Sequence, residues 1–312
     1  MPSDSKFWTG KFVALRFAIA WLIYLFMRSI VLLPFSWQLA LGKRLGASAE
    51  HLLASRRRVV ERNLAVCFPA LSAKQRELLL TAHFEALGAS FIEMAMAWFG
   101  SESTIRDLVR IEGAQHLSEA LQKGRGVILY SGHFTSFEIF FPVLAPLCTR
   151  LCGMYKSQHN WMMDKMMRRG RERNFDHLFE NDSVREMLRE LAANSVVWYA
   201  SDQSYTQKGS ALIPFFNEPA MTNTAISRIA KASGATLLPY FCKRLADDSA
   251  YVMSIGPEPD DFPSDDPGID ARRLIKLLED FILTCPEQYW WIHRRFKGRP
   301  PPHPDIYRDS DS

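Results

Sequence analysis

The chain has few of the parts that covalent or metal-based chemistry requires. Its five cysteines (Cys67, Cys148, Cys152, Cys242, Cys285) are odd in number and irregularly spaced, with no CxxC pair. That excludes a secreted disulfide scaffold and a zinc module of the usual spacing, and it fits a reducing compartment. No G-x-S-x-G elbow, H-E-x-x-H helix, Walker loop or G-x-G-x-x-G turn after a strand occurs, so none of the nucleophile, zincin or nucleotide-binding signatures applies. Charge of one sign is lacking too: 38 basic against 34 acidic residues leave a formal +4 over 312 residues. Bulk electrostatics of that size does not point to nucleic acid, so only local clusters matter.

A hydrophobic content of 47% supports one large core. From Phe12 to Leu33 the only charges are Arg16 and Arg28, which enclose eleven apolar residues, Phe17 to Met27. The apolar run is short against the roughly 20 residues of a spanning helix. The two arginines lie roughly 18 Å apart along a helix, however, and could snorkel toward opposite interfaces. The spacing predicts an N-terminal membrane helix within residues 1–45, with an interfacial helix as the competing reading. A signal peptide is disfavoured because Pro34, Phe35 and Trp37 stand where a small-residue cleavage site belongs. Lys43, Arg44 and Arg56 to Arg58 outnumber Lys6 and Lys11, which predicts a cytoplasmic C-terminal portion.

Arg57 to Val66 and Ala73 to Phe99 read as helices interrupted at Pro69. From Gly124 the pattern changes. Val127–Tyr130, Ser195–Ala200, Thr236–Phe241 and Tyr251–Ile255 read as strands, with helical faces between them at Val184, Met187, Leu188, Leu191 and at Ile226, Ile229, Ala230, the latter preceded by Thr222 as a capping residue. The expectation is an α/β domain over 46–300 with a mostly parallel central sheet flanked by helices. Pro257 to Gly268 reads as a surface loop, and 301–312 as a flexible tail.

The segment GVILYSGHFTSFEIF from Gly126 places His133 where a strand ends and a helix containing Phe137, Ile139, Phe140 and Val143 begins. Strand ends of open α/β sheets gather active sites. Glu138, five residues on, could reach back to one imidazole nitrogen and leave the other to accept a proton, the logic of a catalytic triad whose nucleophile is a substrate hydroxyl. A purely structural histidine competes, since the H-x4-E spacing alone is common. Five cations fall in nine residues, Lys165, Arg168, Arg169, Arg171 and Arg173, opposed only by Glu172. They suit phosphate or carboxylate groups or a developing oxyanion, and equally a solvated helix face. His293, Arg294, Arg295, Lys297 and Arg299 follow Tyr289, Trp290 and Trp291. That juxtaposition suits a lipid headgroup surface or a buried element with a charged exit. Asp202, past another strand, is a further strand-end carboxylate or a simple loop cap.

Several blocks in order, RRRVVERNLAVCFP at 56–69, EMAMAWF at 93–99, SGHFTSFE at 131–138, VVWYASDQSY at 196–205 and CPEQYWWIHRRFKGRP at 285–300, resemble the lipid A biosynthesis acyltransferases, the late acyltransferases of Gram-negative lipopolysaccharide assembly. The resemblance implies a glycerolipid-acyltransferase-like fold on the cytoplasmic side of the inner membrane. It further implies acyl transfer from acyl carrier protein to a hydroxyl of a 3-hydroxyacyl chain on Kdo-bearing lipid IVA, with no metal or organic cofactor and no nucleic-acid partner. It places His133 and Glu138 on the family's catalytic pair and Arg171 and Asp202 on further functional positions, Arg169 or Arg173 standing in for Arg171 if the alignment slips. Arg168, Arg169, Arg173, Arg294 and Arg295 are the expected substrate-binding cations. Gln203-Ser204 departs from a more charged or histidine-rich loop expected in some members, which puts substrate choice in doubt. Two rivals stay open: the same chemistry on another glycolipid or an aminolipid, and a lipid-binding member of the fold without catalysis.

Overall fold

A computed structural model describes residues 5–158, 160–180 and 183–308, with side chains described from Ala18 onward. Four helices lead: α1 (Ser5–Ile30), α2 (Phe35–Leu52), α3 (Ala54–Cys67) and α4 (Ala73–Phe99). Then come α5 (Glu102–Leu108), β1 (Val109–Glu112), α6 (Ala114–Gln122), β2 (Val127–Ser131), α7 (Phe141–Leu144), β3 (Leu151–Tyr155), α8 (Trp161–Arg171), β4 (His177–Glu180), α9 (Val184–Ala192) and β5 (Val196–Ala200). The chain closes with β6 (Ser210–Phe215), β7 (Glu218–Asn223), α10 (Ala225–Ser233), β8 (Thr236–Arg244), β9 (Tyr251–Ile255) and α11 (Pro267–Ile282).

The seven described strands of the main sheet run in the order β1-β9-β8-β2-β5-β3-β4, and every pairing but β8 with β9 is parallel. Why the central strands read as unbroken apolar runs follows from their two covered faces. Ile128 and Tyr130 of β2 enter one hydrophobic layer with Val197, Leu237, Leu274 and Leu278, while Val127 and Leu129 enter the other with Val196, Trp198, Phe140 and Met96. The mostly parallel α/β sheet is thus as expected from the sequence.

α4 begins at a capping box, in which Ser72 and Gln75 satisfy each other's backbone N–H groups. Among the described residues it is the one helix long and apolar enough to cross a membrane, yet it belongs to the core: Glu93 on it is fully buried against Arg244 at 2.5 Å. The membrane helix expected near the N-terminus corresponds to α1, whose described half lies against the domain. Tyr24 meets Phe99 and Phe26 stacks on Phe91, while Ile19, Trp21, Leu22 and Leu25 face outward, Leu22 at 66% exposure. Arg16, the expected partner of Arg28 at the other end of this stretch, falls outside the described side chains.

Three sequence expectations need correction. The single helix expected after His133 is broken into a 3-10 turn at Phe137–Phe140, the four residues of α7 and a second 3-10 turn at Ala145–Leu147, because Pro142 and Pro146 remove backbone donors. Thr222 does not cap α10; it is buried in β7, and the Asn223 side chain accepts from the Ala225 N–H instead. The aromatics at 289–291 do not form a lipid-facing surface, since Tyr289 and Trp291 are buried in the core, as the competing reading had it. Within the expected flexible tail, Tyr307 is buried and its hydroxyl donates to Asn63 Oδ1 at 2.5 Å, while residues 309–312 lie outside the described residues.

Candidate active site

β2 and β5 are neighbours in register, Ser131 opposite Ala200. His133 and Asp202 each stand two residues past those ends, so parallel pairing alone brings together two side chains 69 residues apart. Asp202 is 1% exposed. Its Oδ1 lies 2.6 Å from His133 Nδ1, and its Oδ2 accepts the His133 backbone N–H at 2.9 Å. Burial alone would raise the Asp202 pKa. The His133 charge, the two hydrogen bonds from His133 and one from the Tyr289 hydroxyl outweigh it and hold the carboxyl well below the usual carboxylate range. An ionised carboxylate only accepts, so Nδ1 carries a proton, and in the neutral imidazole the Nε2 lone pair is the one left to accept. Gly132 lets α11 pack close to this corner: a Cβ there would sit 2.6 Å from Leu278 Cδ1.

The last loop locks this corner. Trp290 N–H donates to the His133 carbonyl at 3.0 Å and Thr135 N–H to the Gln288 carbonyl at 2.7 Å. Asn63 Nδ2 donates to the carbonyls of Trp291 and His293 at 2.7 and 2.8 Å. His293 Nε2 accepts the Ser204 N–H at 3.1 Å, tying that loop to the segment after Asp202, and burial pushes the His293 pKa down to about 4. His133, Asp202, His293, Trp290 and Asn63 line one small cleft.

Glu138 is elsewhere than expected. No hydrogen bond or ion pair links it to His133 among the described residues. Its Oε1 accepts Arg171 Nε at 2.7 Å, with Arg171 Nη2 at 2.5 Å, and its Oε2 accepts Trp98 Nε1 at 3.4 Å. Phe137 bridges the two pairs, its ring 6.4 Å from the imidazole and 5.6 Å from the Arg171 guanidinium, and it stacks on Trp198 at 5.6 Å. The imidazole is therefore oriented by Asp202, and Glu138 holds Arg171. Five residues of sequence separation suggested direct contact, but the 3-10 turn carries Glu138 away toward α8.

The remaining predicted cations divide. Arg168 reaches Glu180 at 3.2 Å and covers the Tyr155 ring at 4.8 Å, and Arg169 is exposed without an ion pair among the described residues. Arg173 caps the carboxyl end of α4, donating to the carbonyls of Trp98 and Gly100 at 2.9 and 3.0 Å. Arg294 is exposed beside Tyr307. Arg295, expected at a substrate surface, is 2% exposed and bonds Met221 O and Thr222 Oγ1 at 2.9 and 2.6 Å, so it braces β7 internally. Asn63 and Trp98 were not singled out by sequence reasoning; each lies inside a quoted block, at 56–69 and 93–99, which is the signal that marks it.

The arrangement can take a proton from a hydroxyl at Nε2 while Asp202 supports the resulting imidazolium. A protein thiol nucleophile does not fit, because burial pushes Cys148 and Cys152 up to about 12. Among the described residues no group of three or more His, Cys, Asp and Glu is placed to hold a metal.

Residues 7–298 match the family described as bacterial lipid A biosynthesis acyltransferase. The chain is 36% identical over 278 residues to the lipid A biosynthesis palmitoleoyltransferase of Escherichia coli (strain K12), covering 89% of this chain and 90% of that one. It is 32% identical over 296 residues to the lipid A biosynthesis lauroyltransferase of the same organism, covering 94% and 95%. With the lipid A biosynthesis myristoyltransferase of that organism the identity is 27%, covering 95% and 92%. A fold that sets a carboxylate-oriented histidine at its strand ends, matched along nearly its whole length, settles the kinship: the chain belongs to the bacterial lipid A biosynthesis acyltransferases.

Proposed function

We propose that this acyltransferase moves a fatty acyl group from an acyl carrier protein thioester to a hydroxyl on a 3-hydroxyacyl chain of Kdo-bearing lipid IVA. The observation that carries the chemistry is the 2.6 Å contact between His133 Nδ1 and buried Asp202. His133 Nε2 takes the hydroxyl proton as the oxygen attacks the thioester carbonyl; the tetrahedral intermediate collapses, the C–S bond breaks, and the imidazolium returns its proton to the departing thiolate. Asp202 stabilises the imidazolium. Arg171 is held by Glu138 through Nε and Nη2, and its Nη1 remains to donate to an anionic group, either the oxyanion or a phosphate of the acceptor. Exposed Arg169 and Arg294 extend the cationic surface available to phosphates, Kdo carboxylates and acidic carrier protein.

The apolar outward face of α1 supports a bacterial inner-membrane location, and the excess of Lys43, Arg44 and Arg56 to Arg58 over Lys6 and Lys11 supports a cytoplasmic side for the sheet domain. The test is His133→Ala assayed with acyl carrier protein thioesters and defined lipid IVA acceptors. Loss of transfer in folded protein is expected, and near-normal transfer sinks the assignment. A deletion strain whose lipid A keeps its acyl number would instead favour acylation of another glycolipid.

A further inference from the structure

A second cavity, of about 300 Å³, lies between α2, α4 and the start of α3, with Ile292 of the last loop on one side. α2 and α4 run antiparallel here, Gly42 against Ile92 and Gly46 against Phe84. The cavity therefore extends from Leu53 and Arg56 at one end to Leu45 and Phe91 at the other, with Leu87 along its wall. Its volume falls at the lower end of ligand sites. Its mouth is apolar: of the lining leucines, Leu53 is 48% exposed and Leu45 45%. Beside these leucines stands one lining cation. Arg57 is engaged by Glu50, Glu61 and Glu77, whereas Arg56 is exposed and has no ion pair among the described residues. At the opposite end, Phe91 stacks on Phe26, on the side of α1 that lies against the domain.

We infer that this cavity is a lipid-binding site that takes one fatty acyl chain, with the anionic phosphate of the same lipid on Arg56. The lining suits methylenes and rejects a polar occupant, whose hydrogen bonds would be left unmade. A lone unpaired cation at the rim suits a phosphate, and the half-exposed lining leucines Leu45 and Leu53 leave the cavity open to a lipid chain from outside. Two sources share this chemistry, a bilayer phospholipid and a phosphorylated acyl-disaccharide substrate. The inference does not depend on what His133 does.

The full chain in phosphatidylcholine nanodiscs, doped with phosphatidic acid carrying a diazirine either near the carbonyl or at the chain terminus, tests it by peptide mapping after photolysis. Terminal probes are expected to label Leu45, Leu87 or Phe91, and proximal probes Leu53 and Arg56. Ala49→Phe, which puts a ring into the cavity, is expected to abolish both labels while leaving labels on α1. Arg56→Gln is expected to lower occupancy by phosphatidic acid about fivefold, the worth of one cation near an anionic lipid, and to leave a neutral diacylglycerol probe unchanged. Displacement of the label by a diphosphorylated tetra-acyl disaccharide identifies the substrate as the occupant, and label that persists identifies a phospholipid. Labelling that is the same for both probe depths in the unmodified chain overturns the inference whether or not the variants fold, as does labelling unaffected by Ala49→Phe.

Discussion

Replacing Asp202 by Asn is the most informative change, because it keeps the shape of the side chain while removing both its charge and one of its accepting oxygens. In the native corner the two carboxylate oxygens accept from the imidazole Nδ1 and from the His133 backbone N–H. An amide offers one oxygen and one NH2. If the oxygen keeps the backbone donor, the NH2 faces Nδ1 and forces the proton onto Nε2, which can then no longer act as a base. If the oxygen keeps Nδ1, the amide NH2 opposes the backbone N–H in a buried site. The electrostatic loss can be sized: opposite unit charges about 4 Å apart at a partly buried site interact by about 4 kcal/mol, a factor of about 10³ in rate. The tautomer reversal sets an upper figure of about 10⁴, the kcat loss seen when a triad carboxylate becomes an amide. Asp202→Asn should therefore lose about 10³ to 10⁴ in kcat with KM for both substrates little changed, read by mass spectrometry of the acylated acceptor. Folding has its own signature. The depressed Asp202 pKa stabilises the native state fully above the unfolded value of about 3.9, and this contribution is lost as pH falls toward the folded value. The stability difference between the native and variant proteins should thus shrink on acidification. A folded Asp202→Asn protein with kcat within about tenfold of the native enzyme would refute the reasoning.

Glu138→Gln and Arg171→Gln should each lower stability by about 3 kcal/mol, since each leaves a buried partner uncompensated. The double variant should recover part of that loss in denaturant unfolding, and the pH dependence of kcat in Glu138→Gln should keep its midpoint because Glu138 does not touch the imidazole; a displaced midpoint contradicts this. Asn63→Ala leaves the carbonyls of Trp291 and His293 without their donor, so a loss of about 3 kcal/mol and a fall in kcat through the loosened Trp290 contact are expected, and unchanged urea midpoints would refute it. His293, pushed down to about 4 by burial, is charged in the unfolded chain but neutral in the folded one between about pH 6.5 and 4. Its contribution therefore erodes stability as pH falls through that window, and His293→Gln should flatten the slope of urea midpoint against pH there.

How much of this was legible in the chain depends on which contacts are local. β2, β5, β8 and β9 stood out because burial on both faces makes each a continuous apolar run, and α4 because the break at Pro69 sets it off from the helix before it. β1, as Val-Arg-Ile-Glu, shows three exposed or half-exposed positions in four and carries no such signal. The β6–β7 hairpin turns through Phe216 and Asn217, both with positive φ, where the usual glycine cue is missing. His133 was legible from its place after a strand. Its true partner was not, because the link between Asp202 and His133 is made by the register of two parallel strands, and no spacing in a single sequence reports register. Glu138 was the nearer carboxylate and the wrong one for that role, diverted by a 3-10 turn and claimed by Arg171. The division has a chemical consequence. A base that must cycle between neutral and charged forms needs a carboxylate that stays ionised throughout, which buried Asp202 does with three hydrogen bonds and a depressed pKa. A cation that must remain free at one nitrogen needs to be held by the others, which is what Glu138 does for Arg171. In the mechanism proposed above, two carboxylates serving separate partners, joined through the Phe137 ring, would let the histidine change charge during each turnover without loosening the arginine.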